Sequence, residues 1–181
     1  MSFEQIWAPW RLGYIKAADK EQPAAQPQAE LDWLPGADRA CFLCRYVAAE
    51  NDGGNLVVCR GPHTITVLNR YPYTNGHLLV APRQHKARLD ELTDGEHVEL
   101  MQVIVRLTGL LERLMNPQGF NVGLNLGRVA GAGLPGHLHW HVVPRWSGDT
   151  NFMPVLAGTN VIPQSLEALW ELLTESLAEQ T

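Results

Sequence analysis

The stretch His137-Leu138-His139-Trp140-His141-Val142-Val143 constrains this chain more than any other part of it. Side chains two apart in a strand point to one face of a sheet. The alternation therefore predicts a strand with three imidazoles on one face, and with Leu138, Trp140 and Val142 on the other. Histidine titrates near neutrality, so such a row makes a surface for moving protons or holding a metal. Purification tags and surface metal patches also cluster histidine, but they lack the interleaved large apolar residues and the following Pro144-Arg145-Trp146. Three adjacent buried imidazoles would be costly to satisfy without a function.

The rest of the chain supplies a sheet for this strand to join. Leu56 to Arg60, Thr64 to Leu68 and His77 to Ala81 are short apolar or β-branched runs, separated by Gly-Pro and Tyr-Pro turn signals. Thr93-Asp94-Gly95-Glu96 has the form of a capping box. Behind it, Met101, Ile104, Val105, Leu107, Leu111, Leu114 and Met115 keep helical spacing up to Asn116-Pro117. Phe120 to Leu126 reads as a fourth strand, the histidine row as a fifth, and a last amphipathic helix is expected from Pro163 with Leu166, Leu169, Trp170, Leu173 and Leu177 on one stripe. This order predicts an α+β domain with helices over one antiparallel sheet. We divide the chain into an arm and Pro/Ala-rich loop over 1–40, a domain over 41–153 and a C-terminal extension over 154–181. The arm carries Trp7 and Trp10.

A length of 181 residues suits one domain with a real core. The formal charge of −5 provides no basic face for a polynucleotide, so a nucleic-acid partner is not expected. No apolar run approaches the roughly 20 residues of a membrane helix, and Met1-Ser2-Phe3-Glu4-Gln5 lacks the order of a secretory signal. These features predict a cytoplasmic protein. An odd count of three cysteines does not suggest a disulfide framework. Cys59 closes an apolar run and reads as an inert strand residue. Cys41-Phe42-Leu43-Cys44 offers two thiols, either free near the core or half of a tetrahedral metal site that needs two further ligands.

The histidine alternation resembles the signature of the histidine triad family of nucleotide hydrolases and transferases. Asn69-Arg70-Tyr71-Pro72-Tyr73-Thr74-Asn75-Gly76-His77-Leu78-Leu79-Val80 is similar to that family's other signature, an Asn or Asp after an apolar strand and then Gly-His opening the next. Within the family the chain resembles the fragile-histidine-triad branch and the bacterial diadenosine tetraphosphate phosphorylases. Ile6-Trp7-Ala8-Pro9-Trp10-Arg11 and Trp146-Ser147-Gly148-Asp149-Thr150-Asn151-Phe152-Met153 point to that last group. The resemblance implies a five-stranded sheet that pairs with a second copy into a homodimer.

It also implies roles. His139 would be the nucleophile that forms a nucleotidyl-histidine. His141 would bond the phosphate or its bridging oxygen, and His137 would support the site. Asn69 aligns with the residue that binds ribose hydroxyls, and an amide suits a vicinal diol; a turn-capping Asn is the plainer alternative. His77 is expected near the triad or in the core. The loop Gly127 to Gly136, including Gly131 and Gly133, would let backbone amides approach phosphate. Asn125, Arg145 and Trp146 supply an amide, a cation and an aromatic plane for phosphate and base. Relatives close a Cys-x-x-Cys site with two histidines, which match His85 and His137 here and imply a structural zinc held by Cys41, Cys44, His85 and His137. No organic cofactor is implied.

Many family members carry Gln, Ser or Thr just before the triad, where this chain has Gly133-Leu134-Pro135-Gly136. Side chains that would hold an attacking water are thus missing. The expectation is a phosphorylase that converts diadenosine tetraphosphate and inorganic phosphate to ADP and ATP. The alternatives are a dinucleoside polyphosphate or phosphoramidate hydrolase releasing AMP, and a nucleotide-binding sensor without turnover.

Overall fold

A computed structural model of the chain describes residues 31–150 and 162–179. The expectations placed on the arm, on residues 1–18 and on Asn151 to Met153 lie outside the described residues. Five strands form one sheet: β1 (Val57–Arg60), β2 (Thr64–Leu68), β3 (Leu78–Pro82), β4 (Gly119–Leu124) and β5 (Trp140–Arg145). Their spatial order is β1-β2-β3-β5-β4, and every neighbouring pair is antiparallel. β5 thus enters between β3 and β4, so the strand that carries His141 is interior to the sheet and β4 lies at the edge.

The alternation within the strands sorts two cores. Leu68, Leu78, Val80, Leu138 and Val142 face a long helix α3 (Asp94–Met115) and a C-terminal helix α4 (Leu166–Ala178), meeting Leu100, Ile104, Leu107, Leu111, Leu169 and Leu173. Val57, Ile65, Val67, Leu79 and Ala81 face the other way, onto Leu43, Cys44 and Val47 of the short helix α1 (Phe42–Ala48). Covered on both faces, β2 and β3 are buried throughout, which is why they read as unbroken apolar runs. A four-residue helix α2 (Asp52–Asn55) links α1 to β1.

The capping box at the start of α3 is present. Thr93 Oγ1 accepts from the Glu96 amide, and the Glu96 carboxylate accepts from the Thr93 amide. The helix stops at Asn116, whose left-handed backbone (φ 47°) turns the chain ahead of Pro117. α4 begins at Leu166 and not at Pro163, because Ser165 is its N-cap and accepts from the Ala168 amide at 3.1 Å. No helix among the described residues is long and apolar enough to cross a membrane.

One difference shapes the site. The sequence reading makes the whole histidine row a strand, but β5 begins only at Trp140. The β3–β5 register pairs Val80 with Trp140, which would put Pro82 opposite Leu138. Proline has no N–H to give to a ladder. The Pro82 carbonyl instead accepts from the His137 ring at 2.8 Å, and the Leu138 N–H turns to the Lys86 carbonyl at 2.7 Å. His137 and His139 therefore lie on an extended approach to the strand, and His141 lies within it. The apolar partners still face the helices.

α1 was not apparent from the sequence, where seven residues give too little periodicity to read. It is marginal alone and is clamped by Arg60 of β1. That guanidinium donates to the carbonyls of Tyr46, Val47 and Ala49 at 2.8 to 3.1 Å and pairs with Asp52 at 2.6 Å. The cation sits where the helix leaves its last carbonyls unpaired. Arg60→Met should keep the stem packing but free those carbonyls, costing about 2 kcal/mol in urea denaturation; an unchanged midpoint would show that the clamp does not hold α1.

Candidate active site

Elementary donor and acceptor rules fix the state of the central imidazole. His139 is buried, and its Nδ1 lies 2.8 Å from the His137 carbonyl oxygen. A carbonyl can only accept, so Nδ1 carries the proton and Nε2 keeps its lone pair. Burial pushes the His139 pKa below its ordinary value, with the carbonyl bond pulling the other way, so the ring is neutral at neutral pH. A neutral imidazole with one nitrogen tethered and the other unengaged among the described residues has the form of a nucleophile or a base.

A second chain of bonds ends on His141. His77 Nδ1 accepts from the Tyr73 amide at 3.1 Å and lies 3.3 Å from Asn69 Nδ2. The Asn69 oxygen in turn accepts from the Tyr71 amide at 2.9 Å, which turns its NH2 toward His77. With two donors on Nδ1, a neutral His77 carries its proton on Nε2 and gives it to His141 Nδ1, 2.9 Å away. His141 is then protonated on Nε2 as a donor. The Tyr73 ring covers this pair, 4.6 Å from the His77 centroid and stacked 5.9 Å from that of His141. Gly76 precedes His77 at φ +79°, and a Cβ there would meet Met115 Sδ at 3.0 Å and Pro144 Cγ at 3.2 Å. The Gly-His pair is thus a packing requirement as well as a turn.

The remaining sequence candidates divide. The glycine loop has left-handed residues at Gly127 (φ +80°) and Gly131 (φ +92°), flanking a 3-10 turn over Arg128–Ala130. The amides of Gly131 and Ala132 bond inside the loop, to the carbonyls of Arg128 and Gly127. Asn125 is half-buried where β4 runs into this loop, and Gly133 is exposed within it. Arg145 is committed elsewhere: its guanidinium makes two bonds to Asp149, at 2.5 and 3.0 Å, and one to Asn121 at 2.7 Å. Trp146 Nε1 donates toward the carbonyls of Met115 and Asn116 at the end of α3. Its ring lines a cavity of about 460 Å³ with Tyr73, Asn75, Met115 and Asp149, and no histidine lines that cavity.

Behind the triad, Cys41, Cys44, His85 and His137 bring their ligand atoms within 4.8 Å of one another. Cys41 caps the start of α1 and Cys44 lies in its first turn. His137 Nδ1 is 3.3 Å from Cys41 Sγ and 3.6 Å from Cys44 Sγ, and His85 Nδ1 is 3.3 Å from Cys44 Sγ. Bond lengths of tetrahedral zinc put sulfur and nitrogen about 3.6 Å apart. The donor set and its spacing therefore fit a metal ion. Because His137 Nε2–H is held by the Pro82 carbonyl, Nδ1 presents its lone pair to the thiols, an outer-shell contact of the kind that orients ligating histidines. Burial, with smaller contributions from Cys44, pushes Cys41 up to about 12, and burial with the neighbouring His85 and His139 rings pushes His137 down to about 4 against the Pro82 bond; a cation among them favours the thiolate and the neutral ring. Gly136 leaves room here, since a Cβ would lie 3.3 Å from His85 Nε2.

The HIT domain family matches residues 51–148, which hold the Asn69–His77 motif and the whole triad. The chain belongs to the histidine triad family. Across 98% of its length it is 40% identical to the AP-4-A phosphorylase of Mycobacterium tuberculosis, covering 86% of that protein. A zinc-bound histidine triad protein from Mycobacterium smegmatis superposes with a TM-score of 0.62 at 26% identity, over 77% of this chain and 94% of that one. The Caenorhabditis elegans NitFhit protein superposes at 0.54 and 29% identity, over 67% of this chain and 26% of that one.

Sequence reasoning missed two contributors to this triad site. The Tyr73 amide acts through its backbone and leaves no signature in residue type. Pro82 follows the strand read over His77 to Ala81, and nothing in residue type marks its carbonyl as the acceptor that sets a histidine. The Arg145–Asp149 pair yields a test. Arg145 holds the Asp149 carboxyl down at about 2, well below its unfolded value near 3.9. Between those values the unfolded chain binds more protons, so stability falls as pH falls from about 4 toward 2. Asp149→Asn should be less stable at neutral pH and lose less over that window in urea titrations; parallel curves for the two proteins would contradict it.

Proposed function

We propose that this histidine triad protein is a dinucleoside polyphosphate phosphorylase, converting diadenosine tetraphosphate and inorganic phosphate to ADP and ATP. The observation that carries the reading is the His139 ring, neutral, with Nδ1 held by a carbonyl and Nε2 free. The likeness to the mycobacterial phosphorylase over nearly the whole chain supports the choice of substrate. In this reading His139 Nε2 attacks the α-phosphorus and the bond to the bridging oxygen breaks. His141 Nε2–H donates to that oxygen as ATP leaves. Inorganic phosphate then attacks the same phosphorus, releases ADP and returns the lone pair to His139. His137 supports the nucleophile through its carbonyl. Asn125 and the exposed Gly133 are assigned to the phosphates, while Asn69, engaged by the Tyr71 amide and His77, sets with His77 the proton on His141, and the Gly131 amide stays bonded within the loop. Arg145 and Trp146 we assign to the frame, since Asp149 and the end of α3 already engage them.

The direct test is incubation with diadenosine tetraphosphate, with and without inorganic phosphate. ADP and ATP should form only with phosphate, and His139→Ala should lower turnover by about 10³-fold or more while nucleotide binding persists. Equal rates without phosphate, with AMP among the products, would make the protein a hydrolase.

We further propose a structural zinc on Cys41, Cys44, His85 and His137, and a homodimer in a cytoplasmic setting. Support for the dimer lies in an exposed apolar stripe on α3, where Val98, Met101 and Val105 are 55%, 55% and 66% exposed, and in Val122 on the open edge strand β4. Native mass spectrometry should give two chains with two zinc ions. Val105→Lys should give one chain with one zinc, and Cys44→Ser should lose the metal; a metal-free monomer from the unaltered protein would count against both claims.

A further inference from the structure

Residues 83–88 belong to no helix or strand, yet they join the two parts of the site: His85 is in the metal-ligand cluster and the next residue holds the triad backbone. Lys86 is half-buried and its partner Glu96 buried, side chains 14% and 6% exposed, and the ammonium contacts both oxygens of Glu96 at 2.6 and 2.8 Å. Burial and bonding to the partner make this pair unlike a surface ion pair: neither group can swing into water without stranding the other's charge. Glu96 is fixed in turn by the amide and hydroxyl of Thr93, at 2.7 and 2.8 Å, in the first turn of a 22-residue helix packed into the main core. The anchor is therefore rigid.

From that anchor the path to the nucleophile is short. The Lys86 carbonyl accepts the Leu138 N–H at 2.7 Å. Leu138 stands between His137, whose carbonyl holds His139 Nδ1, and His139 itself. The β ladder no longer pairs this stretch with β3, and the backbone bond from His137 to Leu134 is long at 3.4 Å. We propose that Lys86 and Glu96 are positioning residues for His139: a largely enclosed ion pair that mounts the triad backbone on α3. This rests on the reading of His139 as nucleophile. It asks more of the pair than stability, because a shift of about 1 Å at a reacting atom can cost about a hundredfold in rate.

The test compares Lys86→Met, Glu96→Gln and, as a control away from the ion pair, Ser165→Ala in the full-length protein. Lys86→Met and Glu96→Gln should lower kcat by about tenfold to a hundredfold with KM within about twofold. Their Leu138 amides should exchange with deuterium at least about tenfold faster than in the unaltered protein. Ser165→Ala removes the cap of α4 and leaves the ion pair and Thr93 in place, so it should lower the melting temperature while kcat and Leu138 exchange stay as they were. The proposal is overturned if Lys86→Met keeps its kcat, if Ser165→Ala loses as much, or if Leu138 exchange does not respond. Should the variants fail to fold, the unaltered protein still decides: its Leu138 amide must be among the slowest to exchange, and exchange at the rate of loop amides sinks the idea. Absence of phosphate-dependent turnover in the unaltered protein would instead remove the phosphorylase reading, leaving the exchange measurements to judge the mount.

Discussion

A missing N–H at the end of β3 sets the layout of the site. Pro82 would lie opposite Leu138, and from there the ladder cannot continue as a regular antiparallel pair. Its carbonyl is left for another donor, and the His137 ring takes it. Once that bond is made, the preceding loop, the first histidine and the backbone up to Trp140 lie off the sheet. The side chains there meet thiols on one side, where His137 lies, and the helix-covered core on the other, where Leu138 lies. A regular strand through residue 137 would have put all three rings in one row on one surface.

Two backbone carbonyls then give chemically identical side chains opposite roles. The Pro82 oxygen holds His137 by Nε2 and presents Nδ1 to Cys41 and Cys44. The His137 oxygen holds His139 by Nδ1 and leaves Nε2 free. The third ring is set differently, by a side chain: His77, itself pinned by a backbone amide, decides where His141 keeps its proton. Ring identity alone would not separate the candidate ligand, the proposed nucleophile and the proposed donor. Their acceptors and donors do.

Much of this was legible in the sequence because it rests on period and punctuation. β2, the capping box on α3 and the Asn116-Pro117 stop stand where a β-branched run, Thr93/Glu96 and proline place them. The grouping of Cys41, Cys44, His85 and His137 is borne out as a cluster of possible ligands, from spacing that only a known pattern made readable. What escaped has a physical cause in each case. α1 depends on a distant arginine more than on its own seven residues. The start of β5 is decided by a proline 58 positions earlier, against the local alternation. Arg145 reads as a free cation in a linear motif, but an aspartate one helical turn's distance along the chain claims it.

His137 has its two ring nitrogens and its carbonyl all engaged, by Pro82, by the cysteines and by His139. The three histidines are therefore not equally expendable in evolution. A lineage could abandon chemistry at position 139 or 141 and keep a folded nucleotide-binding shell, since neither ring carries the architecture. Loss at position 137 would loosen the cysteine helix, the end of β3 and the neighbouring ring together. Drift toward a silent binding protein should thus run through the second and third histidines, with the first retained long after turnover is gone.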